Sequence, residues 1–150
     1  MRCAIDSRVD LAAWQAAADA CPHATFFHTP IWLSAFVRSD PTARIATKRV
    51  RFDDGRTAWF PILERRKFGG LYRTAESSPA SCYGGPVSAD PLTPEHLRAA
   101  ADAVRRRSAN LVWRVNPLDP HAAELDPFRT TEDSTEILDL APFADGEAVR

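Results

Sequence analysis

The chain has few cysteines, and those it has are scattered. Cys3, Cys21 and Cys82 are the only three in 150 residues. They are too few for a disulfide framework, and neither a Cys-x-x-Cys pair nor a His-rich tract offers a zinc site. Cysteine usage of this kind points to a reducing compartment, the cytoplasm. An excess of either charge is also missing, since 19 Lys and Arg against 20 Asp and Glu leave a net charge of −1. This removes the basic balance that draws nucleic acid or an anionic membrane, so neither is expected as a primary partner. There is no long hydrophobic run. The apolar stretch at residues 11–21 is interrupted by Gln15 and Asp19 and preceded by Asp6, Arg8 and Asp10, which fits neither a signal peptide nor a spanning helix. Internal repeats and low-complexity linkers are missing as well. What remains is ordinary globular composition, 45% hydrophobic and 26% charged, with enough length for one packed core.

Order along the chain carries more. Asp10 caps a first helix with Leu11, Trp14, Ala18 and Cys21 on one face, stopped by Pro22. Thr29 and Pro30 open a second helix with Trp32, Leu33, Phe36 and Val37 on one stripe, ended by Asp40 and Pro41. The linker between them, residues 23–28, is expected to bury Phe26 and Phe27. From residue 43 the period changes to two: Ala46, Lys48, Val50 and Phe52 alternate, Asp54-Gly55 turns, and residues 57–63 return, with Pro61 marking an edge or a bulge. Residues 64–67 read as a solvated charged end. A loop-rich centre, residues 77–85, follows, with a short strand expected near residues 70–74. Leu92, Thr93 and Pro94 then open a third helix carrying Leu97, Ala100, Ala101 and Val104, and Arg105, Arg106 and Arg107 complement its C-terminal dipole. Residues 111–115 read as a buried strand, residues 135–140 as a weaker one, and residues 143–150 as the start of a further helix. This order implies one α/β unit.

Four segments in series resemble the N-terminal half of FemAB-like, GNAT-type acyltransferases: ATFFHTPIWL at residues 24–33, DGR at 54–56 with WFPIL at 59–63, YGGP at 83–86 and VNPL at 115–118. The resemblance implies a single-domain fold of the α/β (α+β) class, a GNAT-like mixed and largely antiparallel sheet flanked by helices. It also implies transfer of an acetyl, aminoacyl or other acyl group to a small-molecule amine acceptor. Residues 1–150 would form the acceptor-side or scaffold half. A C-terminal GNAT-like half, or a homo-oligomer partner, would complete the site, and acyl-CoA or another acyl donor would serve the full protein. Two departures stand out. Peptidoglycan-bridge members carry a lysine where this chain has Phe36. The glycine loop that opens a helix and holds the coenzyme A pyrophosphate has no counterpart beyond residues 66–71, which lead into strand-like residues, so no tight cofactor binding is expected of this chain alone.

Acyl transfer to an amine needs a proton acceptor, donors for an oxyanion and a clamp for the substrate. His28, just before a helix start, is a candidate base kept neutral by the dipole, its plain alternative being a histidine hydrogen-bonded to the loop backbone. Tyr83 in its glycine-flanked loop is a candidate donor or an ordinary packing tyrosine. Arg73 and Arg114 are candidate clamps for a carboxylate or phosphate, Arg114 having Asp119, Glu124 and Asp126 as possible ion-pair partners. Cys82 has no triad order around it and reads as a packed thiol, and no catalytic residue is assigned. The second reading is a non-catalytic, degenerate GNAT-like module that binds a small ligand or a partner.

Overall fold

One hairpin organises the structure. In the computed structural model, which describes residues 1–108 and 110–128 and the single positions 131, 134 and 136, strands β2 (Ala43–Ile45) and β3 (Lys48–Phe52) run out. Strands β4 (Thr57–Phe60) and β5 (Leu63–Lys67) return. Ala43 faces Arg65 and Lys48 faces Phe60, so both halves share one register although they belong to two sheets. The break between the halves has a chemical cause. Pro61 has no N–H for the ladder, and the Ile62 N–H donates to the Thr47 hydroxyl (3.3 Å) while Ala46 N–H still reaches the Ile62 carbonyl (2.8 Å). The turn is a three-residue loop, Asp53 to Gly55, closed by Phe52 N–H to Arg56 carbonyl (2.9 Å). Gly55 takes the left-handed conformation (φ 92°) that this loop type requires, one residue more than an Asp-Gly two-residue turn.

The outer half of the hairpin pairs with β1 (Cys3–Asp6), a strand that no local pattern announces, in a three-stranded antiparallel sheet β1-β3-β4. The inner half forms a second sheet, β2-β5-β6-β7, with β6 at Tyr72–Glu76 and β7 at Leu111–Val112. Among the strand pairings of the described residues, β6 with β7 is parallel and the rest are antiparallel. A parallel pair needs a crossover, which helix α3 (Pro94–Arg107) supplies.

Residues 58–63 are buried on both faces. Ala58, Phe60 and Ile62 join Val50, Phe52, Ala75, Ala100 and Val104 in the core under α3. Trp59 and Leu63, from the opposite face, join Trp14, Ala18, Cys21 and Leu33 in the core under helices α1 (Leu11–Ala20) and α2 (Pro30–Ser39). Burying each large apolar side chain stabilises by about 1.5–3 kcal/mol, which explains why a strand without polar alternation is held here. The three helices start as their caps predict. The Asp10 carboxylate accepts from the Ala12 and Ala13 N–H groups, and Pro30 and Pro94 each occupy a first turn.

Several expectations are corrected. Residues 64–67 belong to β5, which pairs with β2 and β6, and Glu64 holds both Arg44 from β2 (2.7 Å) and Arg66 of its own strand (2.9 Å). Residues 111–115 give a strand of only two residues, and Val112 and Val115 are exposed. Leu11 is exposed, because the apolar arc of α1 is set by Trp14, Ala17 and Ala18. Phe26 is also exposed, since the short 3-10 turn Phe26–His28 carries His28 into the core and leaves Phe26 on the solvent side. Arg106 pairs with Asp102 one turn back, so a local ion pair accompanies the dipole term. The strand expected at residues 135–140 and the helix expected at 143–150 lie outside the described residues. No helix among the described residues is long and apolar enough to cross a membrane.

Candidate functional site

The 3-10 turn that leads into α2 is tied inward by its own backbone: the Trp14 indole N–H donates to the His28 carbonyl (2.8 Å). This buries the His28 side chain completely. Its Nδ1 accepts from the Thr25 N–H (3.1 Å) and lies 3.1 Å from the Thr25 hydroxyl. Burial, and then the nearby His23, push its pKa down to about 4, so the ring is neutral at pH 7. With Nδ1 accepting, the neutral ring carries its proton on Nε2, an assignment that rests on the hydrogen-bond network. Nε2 is buried and has no partner among the described residues. His28 therefore offers a donor where the sequence suggested a base, and the main reason for its neutrality is desolvation, where the helix dipole was expected.

Tyr83 lies on the neighbouring loop, its ring centroid 6.3 Å from that of His28 and 5.4 Å, edge-on, from that of Phe27. The loop is held to α2 and to the sheets by long-range hydrogen bonds. Trp32 Nε1–H donates to Ser78 Oγ (3.0 Å), Gly84 N–H to the Arg114 carbonyl (2.8 Å), and Trp59 and Val87 exchange two bonds of 2.8 Å. Gly84 sits so close to Ser77 that a Cβ there would meet its carbonyl oxygen at 2.9 Å. Ala80 and Ser81 both hold φ 59°, a left-handed conformation unfavourable for residues with a side chain. The Ser77 hydroxyl is a second buried group without a partner among the described residues.

Behind His28 lies a polar group that sequence reasoning passed over. Asn116 is buried, donates to the His23 carbonyl (2.8 Å), and accepts from Leu118 N–H (3.1 Å). His23 Nε2 is 3.3 Å from Cys21 Sγ and 3.9 Å from Asp119. Burial pushes the Cys21 thiol up, but the His23 imidazole and the Ser88 amide more than offset it, and the thiol lies below its ordinary value. His23 is raised in turn, chiefly by Cys21. The signal for this cluster in the sequence was the VNPL segment at residues 115–118, which reads locally as a turn.

The candidate residues separate. His28 and Tyr83 come together. Arg114 joins them through its backbone, and its side chain lines a shallow recess of about 330 Å³ with Arg65, Glu76, Ala80, Ser81 and Val112, on the outer side of the same loop. Of the carboxylates expected to pair with Arg114, Glu124 meets Arg98 and Asp119 meets His121 N–H and His23, and the Asp126 side chain lies outside what the structure describes. Arg73 does not join the group. It is exposed near the β5–β6 connection, directly opposite Arg66. A recess of about 560 Å³ between β1 and α3 contains none of these residues.

The residues present do not fit a coenzyme A pyrophosphate. At α3, the helix with the longest body, His96 Nδ1 accepts from Thr93 N–H (3.2 Å), and its Nε2 meets the Asp54 carboxylate (2.9 Å). Asp54 and Glu95 already bring negative charge to that end, and Pro94 removes an N–H. Gly69 and Gly70 lie in the β5–β6 connection, where no helix follows. Among the described residues no cluster of His, Cys, Asp and Glu is arranged to hold a metal ion. No protein-family model matches this chain, and searches of curated proteins and of solved structures find no match.

Proposed function

We propose that this chain is the acceptor-side or scaffold half of a FemAB-like, GNAT-type acyltransferase acting on an amine, with the acyl donor held by residues outside 1–150. One observation carries the reading: the four segments that bear the resemblance, far apart in sequence, converge. His28 and Trp32, Trp59, Tyr83 with Gly84, and Val115 with Asn116 are linked by ring contacts or by backbone and side-chain hydrogen bonds to the loop at residues 77–87 or to His23, while residues 54–56 of the second segment meet α3 instead. At their centre is a neutral histidine with a buried N–H, beside a phenol. Both are donors, suited to a carbonyl oxygen that gains negative charge during transfer.

Two measurements test the reading. Calorimetry with acetyl-coenzyme A and light scattering on residues 1–150 are expected to give weak or unmeasurable binding by a protein that self-associates. Micromolar binding by a stable monomer overturns the half-site. In the protein made from the uninterrupted reading frame, release of free coenzyme A thiol in the presence of an amine panel should fall in His28→Ala and Tyr83→Phe by roughly 100-fold for each lost oxyanion donor. Unchanged rates reject their assignment. A second reading, a non-catalytic ligand-binding module, draws on the same tautomer of His28, which donates but has no free lone pair with which to take an amine proton. It expects ligand binding with no thiol release from any version of the protein.

A further inference from the structure

We propose that the tip of the β5–β6 hairpin docks on an anionic lipid surface, its apolar end entering the interface and its flanking cations meeting the headgroups. The proposal is independent of the acyltransferase reading. The tip is the most exposed apolar feature of the described residues: Phe68 is 79% exposed, Leu71 92% and Tyr72 47%. Phe68 holds a left-handed φ of 52°, and Gly69 and Gly70 continue it at 66° and 93°. A bulky side chain at such a φ is costly, and Phe68, 79% exposed, gains little packing among the described residues to offset it.

The charges behind the tip give the partner its sign. Arg66 stands directly opposite Arg73, and Lys67 directly opposite Tyr72. Two guanidinium groups facing each other across adjacent strands repel. Arg66 shares Glu64 with Arg44, whereas Lys67 and Arg73 make no ion pair among the described residues. An external anion relieves that repulsion. The whole-chain charge of −1 hides this, because residues 64–73 carry four cations and one carboxylate.

The arrangement favours a lipid surface over a protein or nucleic-acid partner. Successive strand residues point to opposite faces, so Arg66 and Arg73 lie on one face of the ribbon and Lys67 on the other, with the apolar residues beyond both. A macromolecule docking on one face would meet half of this set. A bilayer entered tip-first meets all of it, apolar residues deepest and cations at headgroup depth, as interfacial anchors are layered.

Flotation with vesicles of phosphatidylcholine, with and without phosphatidylglycerol, tests this on the intact chain. Binding to the anionic vesicles is expected, weakened by salt, and reduced roughly tenfold or more in Phe68→Ser/Leu71→Ser and in Lys67→Glu/Arg73→Glu. All four positions are exposed, so circular dichroism should be unchanged in both variants. In Phe68→Trp, emission should be quenched by brominated lipid beyond the wild-type level, which reads insertion directly. The proposal is overturned if anionic vesicles do not bind the chain, or if both double variants bind as wild type. It is equally overturned if the variants abolish self-association or binding of a single-stranded oligonucleotide while vesicle binding is absent, which would assign the tip to a second copy or to nucleic acid.

Discussion

His28 concentrates the chemistry of this chain in one side chain, and its titration is open to measurement. The unfolded imidazole takes a proton near its ordinary value of 6.5, whereas the folded one resists until about pH 4. Above 6.5 both states are neutral and the burial is free of this cost. As pH falls from 6.5 to 4 the unfolded state alone gains a proton, so stability is lost across that window by about 3 kcal/mol in all and changes no further below it. His23 has the opposite sign, its raised pKa adding stability that disappears as pH rises through the folded value. The comparison is therefore made between wild type and His28→Asn, which keeps an acceptor for the Thr25 N–H and leaves His23 in place. Denaturant midpoints at pH 7, 5.5 and 4.5 should converge toward those of the variant as pH falls, and parallel curves would remove the buried neutral histidine from the account. Gly84 gives a second single-residue test. Its φ is not in the left-handed region, so the obstacle to a side chain there is the Ser77 backbone at 2.9 Å. Gly84→Ala should cost about 1–3 kcal/mol by overpacking, seen as a lower melting temperature. It should also disturb the Tyr83 ring, whereas Gly55→Ala in the turn, with open space around it, acts through φ alone.

At the scale of elements, the joint between the hairpin turn and α3 is a hydrogen bond from a buried ring. His96 spans from the Thr93 cap to Asp54, and its ring packs edge-on against Phe52 with centroids 4.6 Å apart. Asp54→Ala leaves the buried Nε2–H unpaired and should destabilise by about 1–3 kcal/mol, while Asp54→Asn keeps an acceptor and should lose less. Thermal melts of the two variants check this, and equal losses would mean that charge, not hydrogen bonding, makes the joint. The same elements show what the sequence could and could not tell. Asp10, Thr29-Pro30 and Thr93-Pro94 specify their helices within a few residues, so those starts are legible locally. The strand β1 is not, because the three residues between the charges Arg2 and Asp6 give too short an alternation. The strand character of residues 64–67 is hidden for a different reason: Glu64 finds a partner in Arg44, and Arg65 in Asp40 and Glu76, on other elements. At the site, His28 and Tyr83 are recognisable one at a time. Their meeting, the orphaned Ser77 hydroxyl and the Asn116 bond to the His23 carbonyl depend on contacts between distant segments, which no local pattern encodes.

At the scale of the whole molecule, residues 58–63 belong to both cores, so neither core should melt alone. Trp14, Trp32 and Trp59 report on the core under α1 and α2, and Trp113, against Phe60 with ring centroids 4.6 Å apart, on the core under α3. Phe60→Ala should cost about 3–5 kcal/mol and lower the fluorescence and circular-dichroism midpoints together. Separated transitions would show that the cores unfold independently. The shared strand has one more effect. Since neighbouring residues of that strand face opposite cores, sliding it by one position would hand Trp59 to the cavity shaped for Phe60 and Pro61 to that shaped for Ile62, spoiling both cores in a single step. A misregistered hairpin thus has no half-correct refuge in which to linger. The chain proofreads its strand alignment through steric complementarity, checking neighbouring residues against two independent moulds.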